Sequence, residues 1–226
     1  MTLRLTRRGR VVQRLGMVVV GAVFGILVSA VNHGFGPASE YVSKVIGNGW
    51  IWLAAGLGAC LLGRSWKQSW AYGVTFFWPA VAGYYLADIV AGVYTSRPFD
   101  DPTVAGQFDL MAVVVDIIGY AMVSAAASAL LALVVVASRR GGIVGILGAV
   151  AVPGYIAIAA LTLHRGLEAM PANFHDPIQT TVTWYLGLTA LVVTALVVVA
   201  RTRHHLGPRS GPVDRLLLET SRPSRP

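Results

Sequence analysis

The hydrophobic positions of this chain are grouped into long blocks and do not alternate with polar positions at the period of a surface helix or strand. Six blocks are long enough, or nearly so, to cross the hydrocarbon core of a bilayer, which takes about 20 helical residues. They are residues 11–33, 46–63, 69–92, 108–137, 143–163 and 180–200. Because unpaired backbone groups are not tolerated in lipid, each block is expected to be helical. The pattern predicts an all-α integral membrane bundle of about six transmembrane helices.

The same pattern divides the chain into three parts. Residues 1–10 form a basic N-terminus, residues 11–200 form the six-helix transmembrane domain, and residues 201–226 form a basic tail rich in Pro and Ser. The composition of this tail predicts disorder. Pro79 and Pro153 fall inside predicted helices, where a proline usually causes a kink.

Composition and charge support the membrane assignment. Of the 226 residues, 55% are hydrophobic and 12% are charged, about half the charged fraction of roughly 25% that is usual for soluble domains. The net charge of +8 suggests nucleic acid, but all of the 18 Lys and Arg residues except Lys44, Arg97 and Arg165 lie at the termini or in alternate loops. This distribution predicts that both termini are cytoplasmic. It indicates a multi-pass protein of the inner (plasma) membrane and no nucleic-acid partner.

Two acidic residues fall within predicted helices. Asp88 lies four residues from the outer end of the third span, about 6 Å deep, and Asp116 lies about 10 Å along the fourth span from Asp109. A carboxyl group within a membrane is costly and normally faces protein or water. Desolvation disfavours its charged form, so it can hold a proton at neutral pH. Asp88 and Asp116 are therefore candidate catalytic acids; the alternative is a capping or inter-helix hydrogen bond.

Aromatic residues accompany both acids and predict an aromatic pocket. Helical spacing places Phe77, Tyr84 and Tyr85 on the face of Asp88, and it places Tyr120 on the face of Asp116. Trp184 and Tyr185 come soon after the outer boundary of the sixth span, so the candidate substrate-binding residues are Phe77, Tyr84, Tyr85, Tyr120, Trp184 and Tyr185. The alternative is that these residues belong to the interfacial aromatic belt of membrane proteins. That interpretation fits best for Trp50, Trp52, Trp66 and Trp70.

Metal and cofactor sites are not predicted. The histidines and acids predicted on the outer side lack a short ligand spacing such as HxxxH. The sequence also has no Gly-rich phosphate loop, no GxSxG motif and no DDxxD-type diphosphate motif. We therefore expect no metal and no cofactor.

Two resemblances bear on function. The stretch NGWIWLAAGLGACLLGRSW from Asn48, followed by a glycine-rich aromatic helix ending in GYYLAD and then by GVY, resembles a family of small bacterial six-pass membrane proteins of unknown function. Chain length, aromatic spans and embedded acids are more loosely similar to the bacterial integral-membrane terpene cyclases of indole-sesquiterpene pathways. That second resemblance implies cyclisation started by an acid, with aromatic faces stabilising the cation, and it carries over no residue roles.

Three functions are compatible with these features. The first is a membrane-embedded enzyme that cyclises an apolar, isoprenoid-like small molecule, with Asp88 or Asp116 as general acid. The second is a proton- or cation-coupled transporter or a subunit of one, in which the same acids would couple transport. The third is a non-catalytic membrane partner protein with an acidic outer rim. The sequence leaves the substrate and the oligomeric state open.

Overall fold

The protein is a bundle of long helices. The computed structural model describes residues 7–34, 36–96 and 106–206. The helices are α1 (Arg7–Asn32), α2 (Pro37–Ile46), α3 (Gly49–Leu61), α4 (Trp66–Val90), α5 (Leu110–Ser138), α6 (Gly142–Glu168) and α7 (Pro177–Leu206). Five helices, namely α1 and α4 to α7, are long and apolar enough to cross a membrane. The prediction of an all-α chain is confirmed, and five helices, or six spans if α2 and α3 together form one, are long and apolar enough to cross a membrane.

The second predicted span, residues 46–63, corresponds to α3, and it is preceded by a helix that the sequence analysis did not predict. This helix is α2, which meets α3 at a bend of 55° around Gly47 and Asn48. Helix α3 has 13 residues and is only about 20 Å long at 1.5 Å per residue. At Gly47, a Cβ would lie 2.7 Å from Asn32 Oδ1 and 2.7 Å from the carbonyl oxygen of Ser43. Glycine thus permits close packing of the bend against the end of α1.

Helices α1 and α4 pack with their backbones in direct contact. Gly21 and Gly25 on α1 lie against the carbonyl groups of Phe76 and Ala80 on α4, and Gly83 on α4 lies against Ala22. A Cβ at either α1 position would overlap the opposing backbone. Small residues at four-residue spacing permit this type of approach between membrane helices. The close approach brings the turns of α1 that follow Gly25 onto the C-terminal half of α4.

The connection between α4 and α5 contains a short antiparallel strand pair, β1 (Thr95–Ser96) and β2 (Gln107–Phe108), in which Thr95 pairs with Phe108. Phe108 was predicted to begin the fourth span, but this is wrong because Asp109 caps the helix one residue later. The Asp109 carboxylate accepts a hydrogen bond of 2.9 Å from the backbone N–H of Ala112, the usual role of an aspartate at this position.

The other helix ends differ from the predicted bounds by one residue, as at the end of α1, to six residues, as at the end of α7. Helix α7 continues to Leu206, six residues into the segment that the sequence assigned to the tail. Residues 1–6 and 207–226 of the predicted terminal segments lie outside the described residues. Both Pro79 and Pro153 lie inside helices, as predicted.

A compact core lies where α3, α4 and α5 meet. A Cβ at Gly73 on α4 would lie 2.8 Å from Cys60 Sγ on α3 and 2.8 Å from Ser128 Oγ on α5. Phe77, Leu131 and other apolar side chains surround this contact and are buried: Ala59, Cys60, Phe76 and Val135. The three helices therefore pack tightly around Gly73, and they separate from one another on one side of this core.

Candidate functional site: an aromatic cavity with two carboxylates

A cavity of about 600 Å³ opens where α3, α4 and α5 separate. Its volume is within the range of roughly 300–1,000 Å³ that is usual for small-molecule sites. Along α5 it extends from Asp116 to Ala127, which is about 16 Å at 1.5 Å per residue. One end of the cavity, called its outer end below, is formed by Asn32 from the end of α1 and Gly47 from the bend between α2 and α3.

The inner end of the cavity is closed by the core. Phe77 lines the cavity and belongs to the core cluster below it. Its ring lies directly against Gly56 on α3, where the structure has no room for a Cβ. One turn beyond Ala127, the side chain of Leu131 is buried in the same cluster. The cavity is therefore a blind pocket, closed at the end near Phe77.

Aromatic rings form a continuous lining. Trp52 stacks on Phe77 at a centroid separation of 6.5 Å and meets Tyr84 edge-on at 6.1 Å. Tyr84 contacts Tyr85 at 5.4 Å. Tyr85 in turn contacts two further lining tyrosines, Tyr94 at 6.2 Å and Tyr120 at 5.9 Å. Edge-on and offset ring pairs at these distances are the favoured aromatic geometries.

The wall formed by α5 is partly open. Tyr120 and Val123 line the cavity, yet 58% and 64% of their surfaces are exposed. Tyr85 on the opposite wall is only 7% exposed. Because α5 is one of the helices that can cross the membrane, this opening lies on a lateral face of the bundle.

Asp88 lies on the α4 wall and is bound by α1. Its Oδ1 accepts a hydrogen bond of 2.5 Å from Ser29 Oγ, and it lies 3.0 Å from Nε2 of His33. Asp88 is 5% exposed and Ser29 is fully buried. Asp88 therefore makes the inter-helix hydrogen bonds that the sequence analysis gave as the alternative, and it also lines the cavity.

Asp116 lies on the α5 wall and has a different partner. Its Oδ2 accepts a hydrogen bond of 2.8 Å from the phenol of Tyr94, which follows the end of α4. Partial burial, together with the hydrogen bond to Asp116, raises the pKa of Tyr94. The phenol therefore keeps its proton at neutral pH and remains a donor. Asp88 and Asp116 line the same cavity, and each is held by its own hydrogen-bond partner.

The structure brings together six of the eight predicted site residues. Those that line the cavity are Phe77, Tyr84, Tyr85, Asp88, Asp116 and Tyr120. Trp184 and Tyr185 on α7 do not line it. Trp184 packs on His164 of α6 at 5.0 Å, and Tyr185 is 65% exposed. Helix α7 packs mainly on α6, so its aromatic residues face a different part of the bundle.

Sequence analysis missed several residues of the cavity. Trp52, which was assigned to the interfacial belt, lines the cavity, and so do Asn32 and Tyr94. Ser29 and His33 were not predicted as partners of Asp88. A signal for them exists, because Ser29 and His33 continue the four-residue spacing of Gly21 and Gly25 along α1.

Metal ligation is not indicated by the geometry of the described ranges, in which no three His, Cys, Asp or Glu side chains are grouped to hold an ion. No protein-family model, curated protein or solved structure matches the chain. The chemistry of the cavity therefore rests on its own residues.

Proposed function

We propose that this chain is a membrane-embedded enzyme that protonates and cyclises an apolar, isoprenoid-like substrate inside the cavity. The observation that carries the proposal is the combination of a continuous aromatic lining with two carboxyl groups in one blind pocket. Aromatic faces attract positive charge by about 0.5–2 kcal/mol per ring, and most strongly when water is excluded. A carbocation formed next to Asp88 would be surrounded by such faces.

The two carboxyl groups suit two different steps. Asp88 gives its proton to an alkene carbon of the substrate, and the alkene electron pair forms the new C–H bond. The neighbouring carbon becomes a cation, which a second alkene attacks to close a ring. Asp116 then takes a proton from the carbon next to the final cation, and the C–H electron pair becomes the new double bond. The reaction is an isomerisation and needs no further reactant.

The shape of the cavity favours a substrate that arrives from the bilayer. The α5 wall is open where Tyr120 and Val123 are exposed, so an apolar chain dissolved in lipid has a lateral entrance. The closed inner end below Phe77 and Leu131 holds the substrate in contact with the rings. A closed inner end also supports an enzyme over an open channel.

A proton- or cation-coupled transporter is the second candidate, and one observation favours it. Gly47 and Gly49 line the cavity at the bend between α2 and α3, and interrupted helices often surround the substrate sites of transporters. In this candidate, Asp88 and Asp116 would bind the coupling ion. A non-catalytic membrane partner is the third candidate, and no contact in the cavity favours it.

Orientation and location belong to the same proposal. The Lys and Arg distribution supports cytoplasmic termini in the inner (plasma) membrane, and in this orientation the end of the cavity near Asn32 and Asp88 faces the extracytoplasmic side. The lipid bilayer is then the source of the substrate. The chain is proposed to act without a metal, a cofactor or nucleic acid, and an oligomer remains compatible with the proposal.

The proposal is tested by turnover of defined probes. Purified full-length chain in lipid nanodiscs is incubated with farnesol, with geranylgeraniol and with the terminal epoxide of each, and cyclic isomers are identified by mass spectrometry. Wild type is expected to form a cyclic isomer from at least one probe, and Asp88→Asn is expected to form none. The transporter candidate is tested in liposomes with ethidium as the probe cation. Proton flux that depends on both ethidium and Asp88, without any cyclic product, would favour transport instead.

A further inference from the structure

His33 and Asp88 connect the outer end of α1 with the cavity. The imidazole Nε2 lies 3.0 Å from Asp88 Oδ1, and 38% of the His33 side chain is exposed, against 7% for Asp88. Asp88 lines the cavity, whereas His33 does not. The pair therefore joins a partly exposed titratable group to a buried one that contacts the cavity space.

We infer that His33 is a proton-relay residue that loads Asp88 with a proton from the aqueous end of the bundle. The ring takes up a proton at Nδ1 and becomes an imidazolium. The Nε2 proton then passes to Asp88 Oδ1, and the ring is neutral again. In this role His33 acts through Asp88 and is a positioning residue that does not touch the substrate.

The position of His33 on α1 suits uptake of a proton. His33 follows the last residue of α1, and its backbone N–H bonds to the carbonyl oxygen of Ser29 at 3.1 Å. The C-terminal end of a helix is a place where a nearby positive charge is accommodated. Residue 33 also lies just past the span Val11–Asn32, at the edge of the membrane-spanning part.

The surroundings of Asp88 favour exchange with His33 over other groups. Ser29 Oγ donates to the same Oδ1 and, since it is fully buried, fixes the carboxyl group against α1. In the described part of the chain, Tyr84 and Tyr94 also interact with Asp88, and they do so electrostatically. Tyr84 is held by Asn32, whose amide donates to the phenol oxygen at 3.3 Å. His33 is the partner among these whose ring nitrogen lies within hydrogen-bond distance of the carboxyl oxygen.

The inference rests on the proposed function for its purpose, but its test does not need turnover. Infrared spectroscopy of the full chain in nanodiscs records the C=O stretch of protonated carboxyl groups, and the Asp88 band is the one lost in Asp88→Asn. After transfer to D₂O, the rate at which this band shifts reports proton exchange at Asp88. The variants are His33→Gln, which keeps a polar side chain but does not titrate, and His33→Ala. His164→Gln is the matched control because His164 bonds to Thr180 and Glu168, away from Asp88.

We expect exchange to slow about a hundredfold in His33→Gln and His33→Ala, the lower end of what a positioned proton-transfer group contributes. His164→Gln should exchange like wild type, and added imidazole should restore the rate in His33→Ala. Wild-type exchange in both His33 variants, or no Asp88 band at neutral or acidic pH, would overturn the relay. A His33-dependent band in a chain that forms no cyclic product would support the relay and refute the proposed enzyme.

Discussion

Gly25 on α1 packs directly on the carbonyl group of Ala80 on α4, with no room for a side-chain atom between them. This contact sets the distance between the two helices, and therefore the reach of Ser29 and His33 to Asp88 one and two turns further along α1. The functional geometry of the cavity thus depends on a residue that does not line it.

Gly25→Ala is expected to destabilise the bundle by about 1–3 kcal/mol, because the added methyl group overlaps backbone that has little freedom to move. Gly16→Ala is the matched control on the same helix, since a Cβ at Gly16 has no neighbour within 4 Å. Thermal unfolding in detergent compares the two variants. Equal unfolding temperatures would show that the α1–α4 contact is looser than the structure has it.

Tyr94→Phe tests the partner of Asp116. The variant keeps the ring contact with Tyr85 at the cavity wall but removes the 2.8 Å hydrogen bond to Asp116. We expect a loss of about 1 kcal/mol in the free energy of unfolding, the typical effect of one such bond. Tyr185→Phe should change neither stability nor turnover, because Tyr185 is exposed and lies outside the cavity. Loss of turnover in Tyr185→Phe would show that Tyr185 belongs to the functional site.

The ion pair between Lys44 and Asp176 predicts a specific pH dependence of stability. Lys44 Nζ lies 2.7 Å from Asp176 Oδ2. The backbone N–H of Gln179 and the Lys44 ammonium group lower the pKa of Asp176 from its ordinary value of 3.8. A lowered pKa means that the stabilisation is complete well above pH 3.8 and is lost as the pH falls through the value in the folded chain.

Lys44→Met should therefore lower stability near neutral pH by about 0.2–1 kcal/mol, the range measured for exposed ion pairs. About a third of each side chain is exposed, so the effect stays small. The difference from wild type should shrink at acidic pH, where Asp176 is protonated in both chains. Lys67→Met at the start of α4 serves as the control for loss of a positive charge. A difference that is independent of pH would show that the lysine acts by packing alone.

The proposed orientation is tested by labelling single cysteines in whole cells. In a Cys60→Ser background, Asn173→Cys between α6 and α7 is expected to react with a membrane-impermeant maleimide, and Arg140→Cys between α5 and α6 is not. The reason is that the proposed topology puts the α6–α7 connection outside the cell and the α5–α6 connection inside. The reverse labelling pattern would place the end of the cavity near Asn32 and Asp88 on the cytoplasmic side.

The sequence predicts the helices well because membrane crossing requires long apolar blocks, and α1, α4, α5, α6 and α7 follow those blocks closely. It misses α2 and the bend around Gly47, a residue that packs closely against Asn32 of another helix. Helical spacing is sufficient to place Tyr84, Tyr85 and Asp88 on one wall, because these residues share one helix. Trp184 and Tyr185 are misplaced because depth in the membrane does not determine which helices are neighbours.

Partners from other helices are the hardest to predict. The hydrogen bond from Ser29 to Asp88 spans 59 residues of sequence, and no local pattern around Asp88 predicts it. The signal lies on α1, where two glycines, Ser29 and His33 recur at four-residue spacing and mark the face that contacts α4. Tyr94 lies outside any helix, so periodicity could not assign it to a wall.

The central claim is that the Asp88 carboxyl group gives its proton to a substrate held in the aromatic cavity. Incubation in D₂O with the two probes that carry no epoxide, farnesol and geranylgeraniol, tests it most directly, because the proton that Asp88 gives to an alkene carbon then appears as deuterium on carbon in the cyclic product. The control is Asp109→Asn, which keeps the oxygen that caps α5 and lies outside the cavity. The account predicts labelled product from wild type and Asp109→Asn, and at least about a hundredfold less from Asp88→Asn. Equal labelled product from Asp88→Asn, or no cyclic product from wild type with any probe, would contradict it.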